Sequence, residues 1–205
     1  MEKKQIYLDY QAAKPVDGRI LQIMLPYFTM HYGNPSSLHE NGDIATEILQ
    51  KSRERVARLI NATHDEIVFT GGATEANNLA LIGFAQRNRT KGNHLIISEV
   101  EHISLFNIAK FLEKQGFVVS RVPVDQFGQV NLTKLEKRIT DKTILISIQY
   151  ANNEIGTIQP IEEIAEIASR HQIAFHTDAV AAESEIPIDV KKIPIDMLTL
   201  SSNDI

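Results

Sequence analysis

Short apolar runs of strand length recur along this chain, each separated from the next by a segment with helical spacing. That alternation admits few architectures. Residues 95–98, 117–122, 143–149, 173–177 and 197–200 read as strands, and so does the shorter run Ile67-Val68-Phe69-Thr70. Residues 73–86, 104–115, 132–139 and 161–171 read as the helices between them. Two further helices come first. Residues 17–29 carry Ile20, Met24 and Phe28 on one face, and residues 39–60 carry Ile44, Ile48, Val56 and Leu59, with the Gly-, Asn-, Pro- and Ser-rich residues 31–37 as a loop between. Ile144-Leu145-Ile146 does not alternate with polar residues, as expected of a strand covered on both faces. The predicted fold class is α/β, a mostly parallel sheet sandwiched by helices. In such a sheet, ligands lie beyond the carboxyl ends of the strands.

With 205 residues the chain is long enough for one large core. Its formal net charge of -5 gives no support to nucleic-acid binding. There are no cysteines, so disulfides, thiolate metal sites and a cysteine nucleophile are excluded within these residues. The start, Met-Glu-Lys-Lys-Gln-Ile, has no apolar run after its charges, and no apolar stretch reaches the roughly 18 residues of a membrane helix. The expectation is a cytoplasmic protein with neither a membrane nor a nucleic-acid partner.

Several residues at predicted strand ends carry possible chemistry. Gly71-Gly72-Ala73-Thr74 joins a strand to a helix. It reads either as a phosphate cradle, with the Thr74 hydroxyl as an added donor, or as a tight turn with Thr74 in a capping role. Asp178 follows Ala174-Phe175-His176-Thr177 and could hold a protonated ring nitrogen or cap the next segment. His102, after Glu99-Val100-Glu101, could stack on a planar ligand or carry protons, or sit as a hydrogen-bonded loop histidine. Asn152 and Asn153 could bind a ligand hydroxyl or stabilise the turn before Gly156. The other histidines His31, His39, His64, His94 and His171 show no metal-ligand spacing, and no metal site is predicted.

In order along the chain, several motifs together resemble the cysteine desulfurases, class V aminotransferase-like enzymes that use pyridoxal 5′-phosphate. They are Tyr7-Leu8-Asp9-Tyr10, Gly33-Asn34-Pro35-Ser36, residues 67–75, Glu101-His102, Asn152-Asn153-Glu154-Ile155-Gly156, His176-Thr177-Asp178-Ala179 and Ile186-Pro187-Ile188-Asp189. The resemblance implies the large domain of the fold type I pyridoxal-phosphate-dependent transferases. Residues 1–14 would form an N-terminal arm and residues 15–205 the cofactor-binding domain, with the family's C-terminal half absent. It also implies that Ala73, Thr74 and Ser201 bind the cofactor phosphate. His102 would stack on the ring and act in catalysis, Asn153 would face the ring hydroxyl, and Asp178 would pair with the ring nitrogen.

The resemblance further implies L-cysteine or a related amino acid as substrate, an iron–sulfur scaffold or other sulfur acceptor as partner, and a homodimer. Two positions depart from the pattern. Ala181 stands where the family has a glutamine, and Asp204 stands where it has the lysine that anchors the cofactor covalently. The expectation is therefore a cysteine desulfurase family protein that mobilises sulfur for iron–sulfur or thio-cofactor assembly but is inactive as this chain alone, with any cofactor held non-covalently. Two alternatives stay open: a non-enzymatic scaffold or partner in iron–sulfur assembly, and an aminotransferase-like protein that holds pyridoxal phosphate without a covalent bond.

Overall fold

A computed structural model describes residues 6–8, 14–182 and 186–202. Its contacts divide the chain into two units, residues 1–68 and 69–205.

The first unit contains α1 (Gly18–Thr29), α2 (Glu40–Leu59) and a short 3-10 turn at His64–Glu66. Asp17 starts α1 by accepting from the Arg19 amide at 2.8 Å. In the 3-10 turn Thr63 and Glu66 form a reciprocal capping box.

The second unit runs α3 (Ala73–Arg87), β1 (His94–Ser98), α4 (Ile103–Lys114), β2 (Val118–Val122), α5 (Leu132–Arg138), β3 (Thr143–Ser147), α6 (Ile161–Arg170), β4 (Ala174–Asp178) and β5 (Met197–Thr199). The five strands form one sheet in the order β2-β1-β3-β4-β5, and every neighbouring pair is parallel. Every residue of β1 and β3 is buried, whichever way its side chain points, so both faces of the sheet centre are covered. Leu95 and Leu145 pair across β1 and β3 and pack with Leu81 and Ala85 of α3 and with Leu105, Ile108 and Leu112 of α4. On α6 the buried stripe is Ile161, Ile164, Ala165, Ile167 and Ala168, a spacing of three and four that turns one face to the sheet. Gly116 ends α4 at φ +85, a left-handed conformation that glycine adopts without strain.

Strand order gives the sheet its functional polarity. The chain leaves β1 for β2 on one side, then returns to the other side of β1 for β3, β4 and β5. The crevice of such a sheet opens at this reversal, beyond the carboxyl ends of β1 and β3.

One expected strand is not observed. Residues 67–70 are not part of the ladder, and Val68 and Phe69 are 66% and 43% exposed. A four-residue run becomes a strand only by pairing, and among the described residues it has no strand neighbour.

Replacing Leu145, fully buried in the central strand β3, by Ala is expected to cost about 2–5 kcal/mol in chemical denaturation. Val118→Thr, at a 55% exposed position on edge strand β2, should change stability by less than about 0.5 kcal/mol. Equal effects from the two changes would contradict this placement of the core.

Candidate functional site

The loop into α3 is built by its glycines. Gly72 adopts φ 157 and ψ 173, a combination essentially confined to glycine. Glu75 folds back so that its carboxylate accepts from the Gly71 amide at 2.6 Å, and a Cβ on Gly71 would come within 2.9 Å of that oxygen. Gly72, the N-cap residue, has no side chain with which to cap the helix. Ala73 and Thr74 lie at the positive end of α3, next to the Glu75 carboxylate on the Gly71 amide.

One turn further on, Asn77 is almost fully buried. Its Nδ2 donates to Asp178 Oδ2 at 2.8 Å and to Ser104 Oγ at 3.3 Å. Asp178 ends β4, and its Oδ1 accepts from the Val180 amide at 3.1 Å. Ser104 Oγ lies 2.8 Å from Nδ1 of His102, which caps α4 by accepting from the Ser104 amide at 3.2 Å. The first turn of α3, the end of β4 and the start of α4 are thereby tied together. The structure brings the helix that carries Ala73 and Thr74 into one hydrogen-bonded constellation with His102 and Asp178.

The remaining sequence candidates lie around this constellation. Asn153 is exposed in the loop after β3, and its Nδ2 donates to the adjacent Glu154 at 3.3 Å, outside the network. Asn152 is the turn residue. Its Oδ1 accepts from the amides of Glu154 and Ile155, and its Nδ2 donates to the Val100 carbonyl. Ser201 lies half-buried two residues past β5, and Ala181 lies half-buried in the turn past β4. Asp204 falls outside the described residues.

Sequence reasoning missed Asn77 and Ser104. A signal for Asn77 exists, since the buried face of α3 reads Asn77, Leu81, Ala85 at intervals of four, with a polar residue where an apolar one is expected.

Glu101 sits at the strand-order reversal and is buried. Ser98 Oγ donates to its Oε1, and the Gln149 amide reaches both carboxyl oxygens at 3.1 Å. Gln149 Nε2 and Asn152 Nδ2 both donate to the neighbouring Val100 carbonyl, at 2.6 and 2.9 Å. The segments that follow β1 and β3 are thus pinned to each other. Burial, helped by the nearby negative charge of Asp178, pushes the Glu101 carboxyl up to about 7 against hydrogen bonds that favour its charge. On β4, His176 is completely buried between Ser147 Oγ at 2.8 Å and Thr199 Oγ1 at 3.2 Å. Burial holds it neutral, with its pKa pushed down to about 3.

Among the described residues no group of three His, Asp or Glu side chains could hold a metal ion, and no helix is long and apolar enough to cross a membrane.

Residues 6–204 match the aminotransferase class-V family, so the chain belongs to that family. It is 54% identical over 199 residues to the cysteine desulfurase IscS 1 of Archaeoglobus fulgidus, a match that covers 97% of this chain and 52% of that protein. It is 48% identical over 203 residues to the cysteine desulfurase IscS of Methanosarcina thermophila, covering 99% of this chain and 50% of that protein. The chain spans about half the length of these curated relatives. Among solved structures it is similar to SspA in complex with cysteine, with a TM-score of 0.92 and 40% identity over 97% of this chain and 57% of that one. It is also similar to a NifS-like protein from Rickettsia africae, with a TM-score of 0.86 and 30% identity over 98% of this chain and 54% of that one. The family and the parallel α/β fold expected from the motifs are both found.

Glu101 gives the folded protein a pH dependence of known sign. Its carboxyl titrates near 7 in the folded state and near 4.5 when unfolded, so between those values the folded state holds the extra proton. Stability from this group is therefore present at low pH and lost as pH rises through that window. Measured against Glu101→Gln, the native chain should lose about 1.4 kcal/mol per pH unit across it and stay level above. Denaturation at a series of pH values checks this; a difference that does not vary with pH would show Glu101 ionised throughout.

Proposed function

We propose that this chain carries the cofactor site of a cysteine desulfurase, holds pyridoxal 5′-phosphate by non-covalent contacts, and does not release sulfur from cysteine by itself. The single observation that carries the reading is the hydrogen-bonded run Asp178–Asn77–Ser104–His102, lying with the uncapped start of α3 at the carboxyl edge of a parallel sheet.

The residues fit the group in its phosphate and ring parts. The α3 start offers main-chain donors and a hydroxyl to a phosphate through Ala73 and Thr74, with Ser201 as a further ligand from the end of β5. Asp178 is nearly buried, and its oxygens are oriented by Asn77 and the Val180 amide. Such a carboxylate would keep a proton on a ring nitrogen as a charge-assisted pair. His102 would lie against the ring face, and Asn153 would meet the ring hydroxyl. When bound, the cofactor supplies an electron sink for bonds at an amino acid's α-carbon. In its covalent part the fit fails. The lysine position is Asp204, a carboxylate with the opposite charge, and no cysteine is present to take up sulfur.

L-cysteine as the substrate is supported by the relatives' names and by the neighbour solved with cysteine. Delivery of sulfur to an iron–sulfur scaffold or other acceptor, a homodimeric state and a cytoplasmic location belong to the same proposal. Asp204 also favours a second reading, an aminotransferase-like use of a non-covalently held cofactor.

Titration with pyridoxal phosphate, followed by absorbance, is expected to show saturable binding. Asp178→Asn or Thr74→Val should weaken it at least about ten-fold, the scale of a lost hydrogen bond to a charged group. Borohydride reduction followed by peptide mass spectrometry should give no adduct in residues 201–205. Sulfide production from cysteine should be absent for the native chain and for Asp204→Lys alone. Failure to bind the cofactor, or robust turnover by the native chain, would overturn the reading.

A further inference from the structure

We infer that Asn77 is a positioning residue that couples Asp178 to His102 through Ser104 and holds His102 as its Nε2–H tautomer. The Ser104 main-chain N–H can only donate, and it points at His102 Nδ1 at 3.2 Å, so Nδ1 carries a lone pair. Asn77 Nδ2 can only donate, and it lies 3.3 Å from Ser104 Oγ. The Ser104 hydroxyl therefore accepts from Asn77, and its own hydrogen is left for His102 Nδ1 at 2.8 Å.

At the other end, an ionised Asp178 Oδ2 only accepts, at 2.8 Å from the same Nδ2. Both hydrogens of the Asn77 amide are thus assigned. Turning the amide over would set its oxygen against a carboxylate. The cost of the arrangement is visible: Asn77 Oδ1 is buried and finds no hydrogen-bond partner among the described residues. Helix packing keeps Asn77 in place, because it shares the buried face of α3 with Leu81 and Ala85.

The hydrogens consequently run outward from Asn77, one to Asp178 and one through Ser104 to His102. His102 is exposed, and the nitrogen it turns to a ligand carries a hydrogen and no free lone pair. In this neutral form it meets a ligand as a hydrogen-bond donor, and a base must be supplied by another group. The inference rests on the proposed function only for the ligand's identity; the tautomer and the coupling belong to the free protein.

The test is nitrogen-15 NMR of the imidazoles at pH about 8, above the ordinary histidine range, with His102 assigned among the 7 histidines by His102→Gln. His102 is expected as the Nε2–H tautomer. Ser104→Ala, which removes one hydrogen bond with little change in volume, should move the tautomer ratio about five-fold toward Nδ1–H. Asn77→Leu should move it in the same direction. Asn77→Leu should also weaken pyridoxal phosphate at least about ten-fold while leaving inorganic phosphate binding unchanged. An Nδ1–H tautomer in the native chain, or a ratio that neither variant moves, would overturn the inference. Absence of pyridoxal phosphate binding with the tautomer as expected would overturn the cofactor reading and leave this one supported.

Discussion

Asn77 and Asp178 are 101 residues apart in sequence and 2.8 Å apart in space, and their hydrogen bond closes the first turn of α3 onto the end of β4. The geometry of the candidate site depends on it. A buried carboxylate needs donors, and Asp178 has Asn77 for one oxygen and a main-chain amide for the other. In the low dielectric beneath α3, this contact sets where the carboxylate points more firmly than the same bond would in water. Asn77 also donates to Ser104, so the position of the carboxylate is transmitted to the histidine that starts α4.

The second constraint is topological. Because the chain reverses its order across β1 and β3, the segments after those two strands must diverge, and a crevice between them is unavoidable. Glu101 bridges it by accepting from Ser98 and Gln149, and the Val100 carbonyl accepts from the side chains of Gln149 and Asn152. A buried acid with no cation beside it among the described residues is an expensive brace. Holding its proton up to about pH 7 removes most of that cost, and it places a titrating group directly before His102 in sequence.

The framework was legible in the sequence because its signals are local. Non-alternating runs such as Ile144-Leu145-Ile146 announce strands covered on both faces, and each predicted helix of the second unit is found within a residue or two. Gly71-Gly72 signalled a loop that needs a glycine conformation. The run at residues 67–70 misled because apolar character does not supply a pairing partner. The polar network was not legible because it is made by side chains far apart in sequence. Asn77 reads as an ordinary helix residue until the burial of its neighbours Leu81 and Ala85 is known, and Ser104 reads as a residue of the first helical turn. Of the two candidate asparagines, only the structure distinguishes Asn152, which holds the turn, from Asn153, which is exposed.

The central claim is that this edge of the sheet is shaped for a phosphate and a planar ring and lacks a covalent anchor. It is tested most directly by comparing the affinities of pyridoxal 5′-phosphate and pyridoxine 5′-phosphate. The second has the same ring and phosphate but an alcohol in place of the aldehyde, so it cannot bond covalently to the protein. Calorimetric titration should find the two within about three-fold of each other, less than 1 kcal/mol. Aldehyde binding that is tighter by about a hundred-fold, and fixed by borohydride at a single residue, would contradict the account.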